Sequence, residues 1–298
     1  GPVTLPDLGV TVGSENAVQW TLRDAYTTFG QQSERKDALK LLAKTVWEKV
    51  VSGRFADAGA LGRALIKAID EKRLMVYLAS PKEERQVKKA AMAGELAGGT
   101  GDYLRVDVEN FGMNKVDYYL RESIVHDVAV GSGASVKTAT TVALRNNAPE
   151  SGLPEYVAGA AKPGAPPGTN EASVSIFVPK GARLLNATID GKRAPVEVAA
   201  ETGKAVFSLN VKIPPGASRK CRFDYVVPDL VSGAGGRRQY SLNIQKQPLV
   251  DDADYTVTIS SPYYSFGSGD FEASGSSMVK AHGELRTDVA LGEELRAK

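Results

Sequence analysis

The sequence predicts an α+β fold, a helical segment followed by an antiparallel β-sandwich, on three observations. Apolar residues recur at helical spacing through the first part of the chain. After Lys115 the period changes to strict alternation. Beyond residue 172, short alternating runs return about every ten residues, separated by Gly or Pro turns.

Taken in order, Val3 to Val12 is a short extended start. Gly13-Ser14 follows, with Ser14 placed to cap a helix through about Tyr26. Ser33 caps a second helix from Glu34 to about Val51, in which Leu39, Leu42, Val46 and Val50 face a core and Gly53 is the stop. A third helix spans roughly Ala56 to Glu71 with Leu61, Leu65 and Ile69 in a stripe. Leu74 to Leu78 reads as a short buried strand, Pro81 opens a helix that ends near Gly94, and Tyr103 to Val108 is a strand.

Val116, Tyr118, Leu120, Ile124, Val128 and Val130 then share one face of a long strand. Gly131-Ser132-Gly133 turns it, and Val136, Thr138, Thr140, Val142 and Leu144 line the return, giving a long hairpin. Residues 147 to 170 are rich in Pro, Gly and Ala and read as a mobile loop. Strand-like runs follow at Ala172–Val178, Arg183–Ile189, Pro195–Ala199, Ala205–Val211, Lys220–Val227, Tyr240–Gln245 and Tyr255–Ser260, with a last pair at Met278–Ala281 and Leu285–Ala290. Such spacing suits an Ig-like sandwich, in one unit or two.

The composition sets limits. At 298 residues the chain has room for two domains with separate cores. An apolar share of 42% and a charged share of 24% are those of a soluble globular protein. With 37 basic and 35 acidic side chains, the near-balance argues against a nucleic-acid partner, which needs a strongly basic face. A lone cysteine, Cys221, excludes a disulfide framework, and its place among Phe223, Tyr225 and Val227 predicts burial. No apolar run nears the ~20 residues that span a bilayer, and no signal peptide is visible. The chain begins Gly1-Pro2 without Met and so reads as a trimmed product, with Gly1-Pro2 either native or a tag scar.

No catalytic constellation is legible, and no metal or cofactor is expected. His126 and His282 stand in no ligand spacing. His126 falls with Glu122 on the core-facing side of the long strand, which predicts a hydrogen-bonded pair. Gly98-Gly99-Thr100-Gly101 lacks the Lys-Ser/Thr of a phosphate loop and reads as a turn. Asp251-Asp252-Ala253-Asp254 reads as a solvated charge cluster.

Three sets of residues remain as candidates. Arg35 and Lys36 sit in the first turn of the second helix, where the macrodipole disfavours cations, so a phosphate or pyrophosphate contact is one reading and neutralisation by Glu34 and Asp37 the other. Asn110, Asn114, Lys115, Asp117 and Arg121 cluster at a shaped turn, a domain junction or a ligand cleft. Asp117 and Arg121 fall on one side of the expected strand, where they would pair. Tyr263, Tyr264 and Phe266 are the aromatics that could line a carbohydrate groove.

Several runs occur in a recognisable order: Gly1-Pro2-Val3, Glu15-Asn16-Ala17-Val18, Asp24-Ala25-Tyr26, Glu34-Arg35-Lys36-Asp37, and the stretch from Asn110 to Arg121. Leu144-Arg145-Asn146-Asn147-Ala148-Pro149, Val178-Pro179-Lys180-Gly181 and Tyr240 to Pro248 continue it. In this order the chain resembles an uncharacterised actinobacterial envelope family, the domain of unknown function 4012. The resemblance covers roughly residues 1 to 260.

That resemblance implies an extracytoplasmic protein at the cell membrane or wall, anchored through a segment missing from this chain. Its first domain is similar in layout to the LytR-CpsA-Psr phosphotransferases, which attach polyprenyl-linked glycopolymers to the cell wall, and Arg35 would match their pyrophosphate-gripping position. The remaining arginines and the metal-binding acid of that family would lie upstream. The expectation is therefore a helical or mixed segment, residues 1–112, forming the C-terminal part of a larger α/β domain, followed by the sandwich, residues 113–298. Its expected role is non-catalytic, in envelope polysaccharide assembly or protein contact, with envelope glycans or proteins as partners. Part of a phosphotransferase and a carbohydrate-binding sandwich are the alternatives.

Overall fold

The structure, a computed structural model, describes residues 1–53, 57–160, 163–233 and 236–298. The chain opens with a small antiparallel pair, β1 (Val3–Leu5) and β2 (Val10–Val12). A helical run over residues 17–28 follows, with a π-helical turn at Trp20–Asp24 in its middle. Asn16, rather than Ser14, organises its start: the Gly13 N–H donates to Asn16 Oδ1 at 2.8 Å, and Asn16 Nδ2 donates to the Thr11 carbonyl at 3.0 Å. The Gln32–Val51 helix packs Ala38 and Leu42 onto Leu5, Trp20 and Ala25 to form a small core.

The third helix is Ala58–Asp70, capped by the Asp57 carboxylate on the Ala60 N–H at 2.8 Å. Its predicted start at Ala56 lies outside the described residues. The fourth helix, Pro81–Lys89, carries Pro at its first position. The strand expected at Leu74–Leu78 does not form. That stretch is extended and largely exposed, tied by the Val76 N–H to the Met92 carbonyl at 2.9 Å and the Leu78 N–H to Glu84 at 2.8 Å. Apolar character alone could not supply the paired neighbour that a strand requires.

Among the described residues, two sheets make up the rest. One has seven strands, built on β3 (Asp102–Asn110), β6 (Asn170–Pro179), β9 (Glu197–Glu201), β10 (Lys204–Ile213), β12 (Arg237–Gln245), β14 (Tyr264–Gly269) and β17 (Val289–Ala297), in the order β14-β17-β12-β3-β6-β10-β9. The other contains β4 (Leu120–Val130), β5 (Val136–Asn146), β7 (Arg183–Ile189), β8 (Lys192–Arg193), β11 (Ser218–Val227), β13 (Asp254–Ser260), β15 (Glu272–Ala273) and β16 (Met278–Glu284), in the order β15-β16-β13-β4-β5-β11-β7-β8. Inward residues of both sheets, among them Leu104, Ile176, Phe207, Val142, Phe223 and Ile259, form one continuous core. Cys221 lies in it, and burial pushes its thiol up to about 12.

The sandwich departs from the expected pattern in three respects. First, it is not wholly antiparallel: β3 runs parallel to β12, and β4 parallel to β13. Both β3→β4 and β12→β13 cross from the seven-stranded to the eight-stranded sheet, so two sets of strands join side by side through these parallel seams. Secondly, β3 precedes residue 113 yet is central in its sheet, so the sandwich strands begin at Asp102. Thirdly, residues 116–119 are a 3-10 turn, and the long strand starts only at Leu120.

The described residues of the segment expected to be a mobile loop are packed down. They contain a short helix, Glu155–Ala158, and bury Ala148, Val157, Ala158 and Ala165. Asn146 Nδ2 holds the carbonyls of Gly168 and Ile213 at 2.8 and 2.9 Å. Internal hydrogen bonds thus satisfy backbone groups that a mobile loop would leave to water.

Candidate functional site

The two sheet crossovers lie next to each other, and the cleft between them is the candidate site. The first, residues 111–119, is shaped by side chains. Asn110 Oδ1 accepts the Gly112 N–H at 2.9 Å, while its Nδ2 donates to Asn114 Oδ1 at 2.8 Å and to Asp117 Oδ2 at 3.1 Å. Asn170 Nδ2 donates to the other Asp117 oxygen at 2.7 Å. Buried Asn114 donates to the Thr169 and Ala158 carbonyls at 2.8 and 3.3 Å, tying the turn to the packed loop. Met113 takes a left-handed conformation, φ 59°, in this turn. The Lys115 N–H joins the same loop at the Val157 carbonyl, 2.9 Å away, and its side chain is exposed.

The expected Asp117–Arg121 pair does not form. Because residues 116–119 coil, the two side chains no longer share a strand face, and Arg121 turns to Asp251 at 2.7 Å. That contact joins the first crossover to the second.

The second crossover, residues 246–253, is held by charge. Lys246 is 1% exposed; its ammonium pairs with Asp252 and donates to the Leu285 carbonyl at 3.1 Å. Arg73, just beyond the third helix, reaches the Leu249 carbonyl at 3.0 Å and Asp252 at 3.5 Å, and Lys72 pairs with Asp288 at 3.1 Å. Within the acidic run, Asp251 and Asp252 are therefore ion-paired, Asp252 docking the helical part through Arg73, while Asp254 stays exposed. Gln247 imitates a strand neighbour: its Oε1 accepts the Val108 N–H at 2.9 Å and its Nε2 donates to the Val108 carbonyl at 3.1 Å.

Between the crossovers is a cavity of about 230 Å³. Val108, Leu120, Leu249 and Val250 form apolar walls, Asp117 stands on its rim and Glu122 lies within. Glu122 occupies a core-facing position of β4, and its Oε2 is buried with no hydrogen-bond partner among the described residues. Burial, together with the Asp107 charge, pushes this carboxyl up to about 8. A neutral carboxyl at pH 7 can donate a hydrogen bond, and once ionised it is a strong counter-ion.

The predicted Glu122–His126 pair is absent. His126 is wholly buried between Asp102, at 3.3 Å, and Thr140, at 2.9 Å. Tyr240 donates to the same Asp102 oxygen at 2.6 Å, and Thr140 is 3.0 Å from the Tyr225 hydroxyl, so the chain of contacts links both sheets through the core. Burial and the Asp102 charge hold both tyrosine hydroxyls well above their ordinary range. Two residues along one strand face, as Glu122 and His126 are by sequence, lie four positions apart and cannot easily touch; cross-strand and cross-sheet neighbours decide.

The remaining candidates separate. Arg35 is 4% exposed, with its guanidinium 3.9 Å from the Tyr156 ring and 4.7 Å from the Tyr26 ring. It joins the helical part to the packed loop by cation–π contact, worth about 1–2 kcal/mol where desolvated, and is covered from solvent. Lys36, the next residue, is exposed. Tyr263 is 52% exposed, but Tyr264 is buried with its hydroxyl 3.2 Å from the Ser132 carbonyl, and Phe266 packs on the core, so the three make no exposed platform. The Gly98–Gly101 turn borders a separate depression of about 320 Å³ with Tyr103, Lys204 and Asn243. Of the cleft's groups, the sequence pointed to Asp117 but not to Glu122. Its signal was an acid in core-facing register on an otherwise apolar strand.

No protein-family model matches this sequence, and no curated protein does either. Among solved structures, the chain is similar to a protein of Legionella pneumophila described as nutrient-binding, at 9% identity and a TM-score of 0.37, over 65% of this chain and 71% of that one. It is also similar to leukotriene A4 hydrolase of Saccharomyces cerevisiae, at 11% identity and a TM-score of 0.36, over 59% of this chain and 29% of that one. A zinc metallopeptidase of Deinococcus radiodurans gives 16% identity and a TM-score of 0.33, over 62% of this chain and 43% of that one. The chain thus spans less than half the length of these two enzymes. Likeness at such scores says nothing about function.

Proposed function

We propose that this chain is a non-catalytic, contact-making module of an extracytoplasmic cell-envelope protein, anchored to the membrane through a segment outside it and acting in polysaccharide assembly or protein contact. The observation that carries this reading is an apolar face left uncovered on the helical part. Val46, Trp47, Val50 and Val51 of one helix and Leu65 and Ile66 of the next are exposed. A groove of about 310 Å³ runs beside them, lined by Val3, Val12, Leu42, Val46, Val50 and Leu61. A contiguous apolar surface of this kind marks a place of association. It suits a helical part that belongs to a larger α/β domain, with the Ig-like sandwich as rigid support.

A catalytic reading finds less support in the positions of the titratable groups. Asp102 and His126 are sealed in the core, Arg35 is stacked under rings, and Lys246 is consumed by Asp252. The test pairs two measurements on the chain: co-sedimentation with purified cell-wall polysaccharide and envelope proteins, and turnover of a polyprenyl-pyrophosphate-linked glycopolymer. Binding that Val46→Asp/Val50→Asp weakens at least about tenfold, without turnover, is expected, since two buried charges cost several kcal/mol. Sustained turnover, or binding indifferent to both substitutions, would overturn the reading.

A further inference from the structure

The geometry points to the cleft between the two crossovers as a binding site for a primary ammonium group on a short apolar stem, with the Glu122 carboxylate as its counter-ion. This site is separate from the apolar helical face and does not depend on the function proposed for it.

The chemistry follows by elimination. Glu122 presents an oxygen that no donor among the described residues satisfies, and leaving such an atom dry costs about 1–3 kcal/mol. The charged groups around it are Asp107 on β3 and Asp117 on the first crossover, both carboxylates. Nearby cations face elsewhere: Arg105 is bound to Asp107 at 2.9 Å, Arg121 to Asp251, and Lys246 to Asp252. An anion would therefore meet only like charge. Among the described residues no group of three or more acidic, His or Cys side chains is arranged to hold a metal ion, and a hard cation needs six or more oxygens.

An ammonium needs less. Its three N–H donors can be met by Glu122 Oε2, by the Asp117 carboxylate on the rim and by water, while Val108, Leu120, Leu249 and Val250 cover a methylene stem. The volume of about 230 Å³ is below the roughly 300–1,000 Å³ of pockets for drug-sized ligands, so the stem is only a few carbons long. On binding, Glu122 gives its proton to solvent and the ammonium takes its place.

The experiment titrates the whole chain with n-butylammonium, and with n-butanol as the uncharged control, following the methyl signals of Leu120, Leu249 and Val250 by NMR. Saturable butylammonium binding is expected, with butanol at least about tenfold weaker, a 1.4 kcal/mol difference. Because the empty site holds a proton until about pH 8, the affinity rises roughly 70-fold from pH 6 to pH 8.5. Glu122→Gln, close in shape to the protonated acid, abolishes both the binding and its pH dependence. Leu249→Trp fills the cleft from the other crossover and abolishes binding with the carboxyl intact. Equal affinity for butanol, wild-type affinity in Glu122→Gln, or a pH-independent affinity would each overturn the proposal.

Discussion

Replacing Glu122 by Gln stabilises the protein at neutral and alkaline pH, although it removes a native acid. In the unfolded chain this carboxyl titrates at its ordinary 4.5; in the folded protein burial and Asp107 move it to about 8. Between those values the folded state holds a proton that the unfolded state has lost. Stability therefore falls as pH rises through this window, by about 1.36 kcal/mol per pH unit, and is flat below and above it. The whole interval of about 3.5 amounts to about 5 kcal/mol, of which about 4 kcal/mol falls between pH 5 and pH 9. Gln carries no proton to lose, so the variant escapes the penalty. Urea unfolding of both proteins at pH 5 and pH 9, followed by fluorescence, measures it: the stability of Glu122→Gln relative to wild type rises by about 4 kcal/mol across that range. A gap that stays constant within about 0.5 kcal/mol would refute the burial of an unpaired carboxyl here.

Tyr240→Phe removes a 2.6 Å donor to the buried Asp102 carboxylate and costs about 1.5–3 kcal/mol in urea unfolding; a loss below about 0.5 kcal/mol would show the core network to be idle. Lys246→Met leaves half-buried Asp252 with Arg73 as its ion-pair partner among the described residues and costs about 3–5 kcal/mol, whereas Lys246→Met/Asp252→Leu recovers most of that by thermal unfolding. Gly101→Ala combines a φ of 111° with a Cβ that would stand 2.3 Å from Ser241 Oγ, so it lowers stability by about 2–4 kcal/mol, and Ser241→Ala in the same chain restores only part.

The two-sheet architecture follows from one placement. The sequence shows the alternation of β4 and β5 plainly, because a face buried on one side leaves a period of two. It does not show that β3 and β12 run parallel, since pairing partners leave no local trace. Once they do, both crossovers must leave the same end of the seven-stranded sheet, and they are brought together. The Asn110–Asp117 turn was legible because Asn and Gly shape their own backbone. That it walls a cleft with Gln247 to Val250, residues distant in sequence, was not.

What the amino-acid order determined by itself was local: helices from apolar spacing, strands from alternation, the burial of Cys221, and a shaped turn between Asn110 and Asp117. Tertiary structure alone decided the rest. It coiled residues 116–119 and so sent Arg121 to Asp251 instead of Asp117, turned the acidic run into the dock for Arg73 and Lys246, and buried Arg35 against Tyr156. It also left Glu122 unpaired in a cleft. The physical reason is common to all four. A side chain's charge state and partner depend on which distant groups share its low-dielectric surroundings, and sequence spacing carries no record of those neighbours.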